Sequence, residues 1–243
     1  MNFLPRALSL DLDDTLWPIW PAIERAEQAL DDFLRRHCPM TAARFPIRKM
    51  RELRARVASE HPHLAHDFTR QRLLSLEIAL GEAGDDVGMA EAALEAFYEV
   101  RNRVDFYPDA LEALQRLSAR APLVALTNGN ADLGRIGIHE HFRGYVSARE
   151  TGVAKPEPRI FLTACEHLGL APQEVLHAGD DPHLDVAGAQ RAGMRTCWIN
   201  RRNLPWPREL PRPDLEFATL AGLADWLERH PLSLDPPLSL EIR

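Results

Sequence analysis

The sequence predicts an α/β protein: a parallel-sheet core with helices on both faces and an α-helical block inserted after the first strand. Three observations carry this. Apolar segments short enough to be strands, at 6–12, 122–126, 175–178 and 195–199, alternate with helical patterns of about 10–15 residues over the second half of the chain. Three of these segments run into polar residues at their carboxyl ends, where open parallel sheets hold their ligands. Between the first and second segments lies a long stretch with helical spacing and no convincing strand.

Residues 6–12 (RALSLDL) are too apolar at Ala7, Leu8, Leu10 and Leu12 for one-face alternation, so they predict a buried strand. Pro18 and Pro21 mark a break and a helix start. Four apolar faces follow at helical spacing: Ile23, Ala26, Leu30 and Leu34; Ile47, Met50, Leu53 and Val57; Leu73, Leu76 and Leu80; Met89, Ala93, Phe97 and Val100. The third ends at Gly81 and Gly84. After Tyr107, Pro108 opens a helix with Leu111, Leu114 and Leu117 on one face. The strand 122–126 ends in Thr-Asn-Gly-Asn, short elements occupy 136–147, and a helix spans 158–168. The strand 175–178 ends in Gly-Asp-Asp, and a helix bearing Val186, Ala189 and Ala192 closes at Gly193. The strand 195–199, an edge strand at 215–217 and a helix at 220–227 complete the pattern. The division is a core of residues 1–17 and 106–230, a helical insert of 18–105 and a Pro-rich tail of 231–243.

Composition narrows the function class. A net charge of −7 offers no basic excess for nucleic acid or an anionic membrane. No apolar run approaches the roughly 18 residues of a membrane helix. The N-terminal MNFLPRALSLDLDDTL places aspartates where an export signal needs an apolar core, so a cytoplasmic location is expected. Cys38, Cys165 and Cys197 are odd in number and form no CxxC, which argues against a disulfide framework or a zinc site. The 29 basic residues include only two lysines, Lys49 and Lys155, so each surviving lysine stands out. Arg44–Arg56 holds six bases against one acid, a solvated helix face or a lining of the substrate entrance. His61, His63 and His66 read as surface histidines, Trp17 and Trp20 as hinge and core packing, and Trp198 and Cys197 as core.

The strand ends gather Asp11, Asp13, Asp14 and Thr15; Thr127 and Asn128; and Asp180, Asp181 and Asp185. A single such aspartate is commonly a cap or turn residue. Several converging at one sheet edge repel, which calls for a cation, and hard oxygen ligands favour Mg²⁺. With its charge neutralised by a metal and a lysine, a phosphate dianion becomes open to attack by a carboxylate. A second carboxylic acid then protonates the leaving oxygen and later deprotonates water.

Asp11-Leu-Asp13-Asp14-Thr15 is similar to the DxDx[TV] signature of the haloacid dehalogenase superfamily. Thr127-Asn128-Gly129, Lys155-Pro156 and Gly179-Asp180-Asp181-Pro182-His183-Leu184-Asp185 resemble its other three motifs, in order. The resemblance covers residues 6–228 and implies a Rossmann-like core with the insert forming a helical C1-type cap. It implies Asp11 as nucleophile and metal ligand, Asp13 as general acid/base with its backbone carbonyl on the metal, and Asp180 as the third protein ligand. It implies Thr127 and Asn128 as phosphate and nucleophile-loop contacts, and Lys155 as the cation balancing nucleophile and phosphate. Asp185 and Asp181 would orient the metal site, with direct contact left open for both. An acid at position 13 favours phosphoryl transfer over dehalogenation, since a departing halide needs no proton. A large cap favours a small phosphate ester enclosed on closure.

A finer resemblance, through His66-Asp67-Phe68-Thr69-Arg70, residues 125–131, His177-x-Gly179-Asp180-Asp181 and Cys197-Trp198-Ile199, is to bacterial phosphatases of flavin mononucleotide and the phosphorylated ribitylamino-uracil precursor of riboflavin. Nucleoside monophosphates and phosphoglycolate are alternative substrates. A phosphomutase-type transferase and a phosphate- or metal-binding regulatory protein are the competing functions. Monomer and homodimer are both open.

Overall fold

The structure, a computed structural model, describes residues 4–230. The tail expected at 231–243 lies outside the described residues. Six parallel strands form one sheet: β1 (Ala7–Leu10), β2 (Leu123–Thr127), β3 (Gly144–Ser147), β4 (Val175–Gly179), β5 (Arg195–Ile199) and β6 (Leu215–Phe217). Their order is β3-β2-β1-β4-β5-β6. The chain runs outward from β1 on one side, then crosses to β4 and runs outward on the other. That reversal is the switch point at which such sheets open a crevice beyond their strand ends.

β1 is buried at every residue, as its continuous apolar run requires of a central parallel strand. Ser9 pairs in register with Val124 on one side and His177 on the other, and Leu10 with Ala125 and Ala178. The strand is shorter than 6–12: Asp11 N–H still bonds the neighbouring strand at Ala178 O, and the chain departs after it, although Leu12 stays fully buried. Asp14 then takes a left-handed turn, φ 62°.

The insert that follows β1 is built from α1 (Ile19–His37), α2 (Pro39–Arg44), α3 (Ile47–Glu60), α4 (Phe68–Ala83) and α5 (Ala90–Arg101). Pro21 sits in the first turn of α1, where a missing N–H costs nothing, and Asp14 Oδ1 accepts from Ile19 N at 3.1 Å. Asp67 caps α4 by accepting from Arg70 N, and Gly84 ends it at φ 87°. These helices bury their own apolar cluster, including Leu30, Leu34, Leu53, Leu76, Leu80 and Phe97. Two further clusters cover the faces of the sheet. One joins β1 to α6 (Ala110–Arg120) and α11 (Leu220–Arg229). The other joins β2 and β3 to α9 (Pro158–Leu168).

Two local expectations are corrected. Leu111 is 42% exposed, and α6 buries Ala110, Ala113, Leu114 and Leu117 instead, an i, i+3, i+4, i+7 stripe that leaves Leu111 at its edge. The helix expected at Val186 begins as a π-helical turn, Pro182–Val186, before α10 (Ala187–Arg191). Five arginines of the basic run 44–56 are engaged in ion pairs: Arg51 and Arg54 hold the buried Glu27 at 2.5 and 3.1 Å, Arg44 and Arg56 reach Glu82, and Arg48 pairs with Glu52.

Candidate active site

Each strand beside the switch point delivers a side chain to one place. Asp11 follows β1 and stays in its plane, because its N–H donates to Ala178 O of β4 at 2.9 Å. Lys155 comes from the loop before α9. Its Nζ lies 2.5 Å from Asp11 Oδ1 and 2.6 Å from Asp185 Oδ1, and all three residues are buried. Asp185 sits on the π-helical turn after β4. Gly179 permits this approach, since a Cβ there would collide with the Asp185 carboxylate. Asp181 N donates to Asp185 Oδ2 at 2.9 Å, and His177 Nε2 lies 3.3 Å from Oδ1. Behind His177, Ser9 Oγ lies 2.6 Å from Nδ1. A neutral imidazole carrying its proton on Nε2 satisfies both contacts.

Electrostatics follow from burial and neighbours. Burial pushes the Asp11 carboxyl up to about 7, opposed by Lys155. Burial, with the charges of Asp11 and Asp185, pushes Asp180 up to about 8. Burial would raise Asp185 too, but Lys155 and His177 outweigh it and hold that carboxyl well below its usual range. Burial depresses His177, keeping it neutral. For Lys155 the two carboxylates overcome burial and hold the ammonium protonated.

Asp11, Asp180 and Asp185 offer oxygens all within 4.8 Å of one another, the group among the described residues with metal-holding spacing. Three carboxylates against one lysine leave two negative charges, matching a divalent ion, and the all-oxygen donor set suits Mg²⁺. Thr15 Oγ1 donates to Asp11 Oδ2 at 3.0 Å and lies 3.5 Å from Asp180 Oδ1. Asp181 is turned elsewhere: its carboxylate accepts from His183 N and Leu184 N and caps the turn.

The Asp13 carboxylate also stands apart from the three. It accepts from Trp17 Nε1 at 2.8 Å and from Arg101 Nη2 at 2.8 and 2.9 Å. Gly129 abuts it, and a Cβ there would collide with Asp13 Oδ2. Thr127 Oγ1 accepts from Gly129 N at 2.8 Å and fixes that loop. Asn128 is spent on Lys155: its amide donates to the Lys155 carbonyl at 2.9 Å and accepts from its N–H at 2.7 Å. A cavity of about 870 Å³ opens beside Gly129, lined by Thr69 and Tyr98 of the helical insert and by Asn130, Tyr145 and Ser147 of the core. Tyr98 Oη contacts Thr69 at 2.6 Å and accepts from Asn130 at 2.7 Å, so the cavity wall spans both parts. None of residues 44–56 lines it.

The structure therefore brings Asp11, Lys155, Asp180 and Asp185 together and sets Asp13 and Thr127 beside them, with Asn128 and Asp181 holding the loops. Sequence reasoning did not single out Arg101, which ends a helix in an arginine-rich chain, or Ser9, hidden inside an apolar strand. Trp17 was read as packing, and it is fully buried while also bonding Asp13.

A haloacid dehalogenase-like hydrolase family model matches residues 5–193. The chain belongs to that family. It is 36% identical over 225 residues to the 5-amino-6-(5-phospho-D-ribitylamino)uracil phosphatase of Escherichia coli K12, covering 89% of this chain and 94% of the relative. It is 38% identical over 148 residues to a phosphoserine phosphatase of Thermus thermophilus, covering 58% of this chain and 59% of that one. The crystal structure of a 2-haloacid dehalogenase from Pseudomonas syringae superposes with a TM-score of 0.86 at 35% identity, over 93% of this chain and 99% of the other. The matching family is one of hydrolases, and phosphatases stand among the relatives of this chain. Among the described residues, no helix is long and apolar enough to cross a membrane.

Proposed function

We propose that the protein hydrolyses a small phosphate monoester through an aspartyl-phosphate on Asp11. The observation that carries this reading is the buried Asp11 carboxylate, with Lys155 Nζ at 2.5 Å and two further carboxylates within metal-sharing distance. Asp11, Asp180 and the Asp13 carbonyl would hold Mg²⁺, with Asp185 fixing Lys155 beside them; a divalent ion held there would supply charge withdrawal from the phosphate oxygens.

In the first half-reaction an Asp11 oxygen attacks phosphorus, the bond from phosphorus to the ester oxygen breaks, and Asp13 gives that oxygen its proton. Lys155 offsets the charge of nucleophile and phosphate, and the Thr127 hydroxyl, whose oxygen already accepts from Gly129, is free to donate to a phosphate oxygen. In the second, water attacks the phosphorus of the aspartyl-phosphate while Asp13 takes its proton. Inorganic phosphate leaves and the Asp11 carboxylate is restored.

Residues 18–105 act as the cap, and the cavity of about 870 Å³ takes the alcohol part of the ester. Similarity to the Escherichia coli ribitylamino-uracil phosphatase over 94% of that relative favours that riboflavin precursor as substrate, with flavin mononucleotide the second candidate from the sequence resemblance. A turnover screen tests this, with those esters beside nucleoside monophosphates and phosphoglycolate, with and without excess EDTA. The expected result is a preferred flavin-pathway ester and loss of turnover in EDTA. Flat, negligible turnover across the panel would instead indicate a phosphate-binding regulatory protein, and phosphoryl transfer to a sugar acceptor would indicate a mutase.

A further inference from the structure

Arg101 ends α5, the last helix of the insert, and is 1% exposed. A guanidinium carries five N–H donors and no acceptor. Only Nη2 is used, and it takes both oxygens of Asp13 at 2.8 and 2.9 Å. Nε and Nη1 are buried without a hydrogen-bond partner in the protein. Burying a charged donor unpaired costs on the order of a few kcal/mol, so these two nitrogens contribute nothing to stability as they stand. Trp17 holds Asp13 from the other side at 2.8 Å, and Gly129 closes the third.

From this we infer that Arg101 is a positioning residue for Asp13, fixing with Trp17 the direction in which that carboxyl group faces the leaving oxygen of the substrate. The inference rests on the proposed phosphatase reading. Nη2 meets both Asp13 oxygens while Trp17 Nε1 meets Oδ1, so the carboxyl group is held from two sides. Arg101 belongs to the insert and Asp13 to the core, so the contact also ties the position of the insert to the aim of the acid.

The test compares leaving groups. A p-nitrophenolate departs with little need of a proton, whereas an alkoxide needs one. The ratio kcat/KM covers the steps through bond breaking. With Arg101→Met, which keeps an apolar stem of similar length, kcat/KM for a primary alkyl phosphate is expected to fall by roughly 100-fold or more, the usual contribution of a positioned acid. For p-nitrophenyl phosphate the expected fall is smaller by about tenfold or more. Added guanidinium is expected to recover part of the alkyl-ester rate. Arg101→Lys, the gentler change, carries the same comparison if the methionine variant does not fold. Equal losses on both esters in a folded variant would overturn the assignment. Absence of phosphatase activity in the unaltered protein would instead overturn the underlying function, which separates the two failures.

Discussion

Asn128 grips the backbone of Lys155 from both sides, donating from Nδ2 to its carbonyl at 2.9 Å and accepting at Oδ1 from its N–H at 2.7 Å. The lysine that pairs with Asp11 is thus set by a side chain 27 positions earlier, on the loop after β2. Its partner Asp185 comes from the far side of β1, after β4.

Loss of this grip is expected to cost rate more than affinity. Asn128→Ala frees the Lys155 loop, and a misplacement of about 1 Å costs on the order of 100-fold. Steady-state hydrolysis of p-nitrophenyl phosphate is expected to show kcat lowered by about that factor, with KM changed much less. A wild-type kcat in Asn128→Ala would show that Lys155 needs no such support.

His177 holds Asp185 from behind, with Ser9 fixing the ring. Outer partners of this kind are worth roughly 10–100-fold. His177→Leu is therefore expected to lower kcat by about that range, and Ser9→Ala by less. Comparison of kcat in the two variants checks the order, and a larger loss in Ser9→Ala would contradict it.

Metal and protons compete at the acid cluster. Asp11 and Asp180 are raised to about 7 and about 8, above their ordinary values. Between the ordinary carboxylate value and these, the folded protein binds more protons than the unfolded chain, so metal-free stability falls as pH rises through that window. Mg²⁺ needs the deprotonated oxygens, so its affinity climbs over the same window. The rise in Tm on adding Mg²⁺ is expected to be larger at about pH 8.5 than at about pH 6. An equal rise at both would contradict the placement of the ion on these carboxylates.

Asp109 ties three elements of the core. It pairs with Arg201 at 2.8 Å and accepts from Leu220 N and Ala221 N at the start of α11. Burial would raise its carboxyl, but the Arg201 hydrogen bond and charge and the Ala221 N–H outweigh it and lower it. The stability it lends is present above the unfolded value and is lost as pH falls through the lower folded value. Asp109→Asn is expected to cost about 1 kcal/mol or more near neutrality. Thermal melts of the pair are expected to converge on acidification, and a gap that widens in acid would contradict this account.

Much of this was legible in the sequence, for identifiable reasons. Strand β5 falls where its apolar run places it, and β1 and β4 nearly so, because central parallel strands have no polar face to blur the pattern; the edge strand β6 also falls at its expected position. β3 was not drawn as a strand: its GYVS is half-buried at an edge and carries no such run. Strand ends bearing Asp11, Asn128 and Asp180 pointed to the crevice. What stayed hidden was which acid faces which partner. Asp180 and Asp181 are adjacent and identical in sequence, yet one joins the cluster and the other caps a turn. Arg101 was invisible for a related reason: its burial against Asp13 depends on how the insert packs on the core, 88 positions away.

The account turns on Asp11 as the nucleophile. Phosphate release from p-nitrophenyl phosphate by Asp11→Asn at saturating Mg²⁺ tests it most directly, with circular dichroism to show a folded protein. The predicted result is a rate at the uncatalysed background. A rate within about tenfold of the unaltered protein, a barrier change of only ~1.4 kcal/mol, would contradict it.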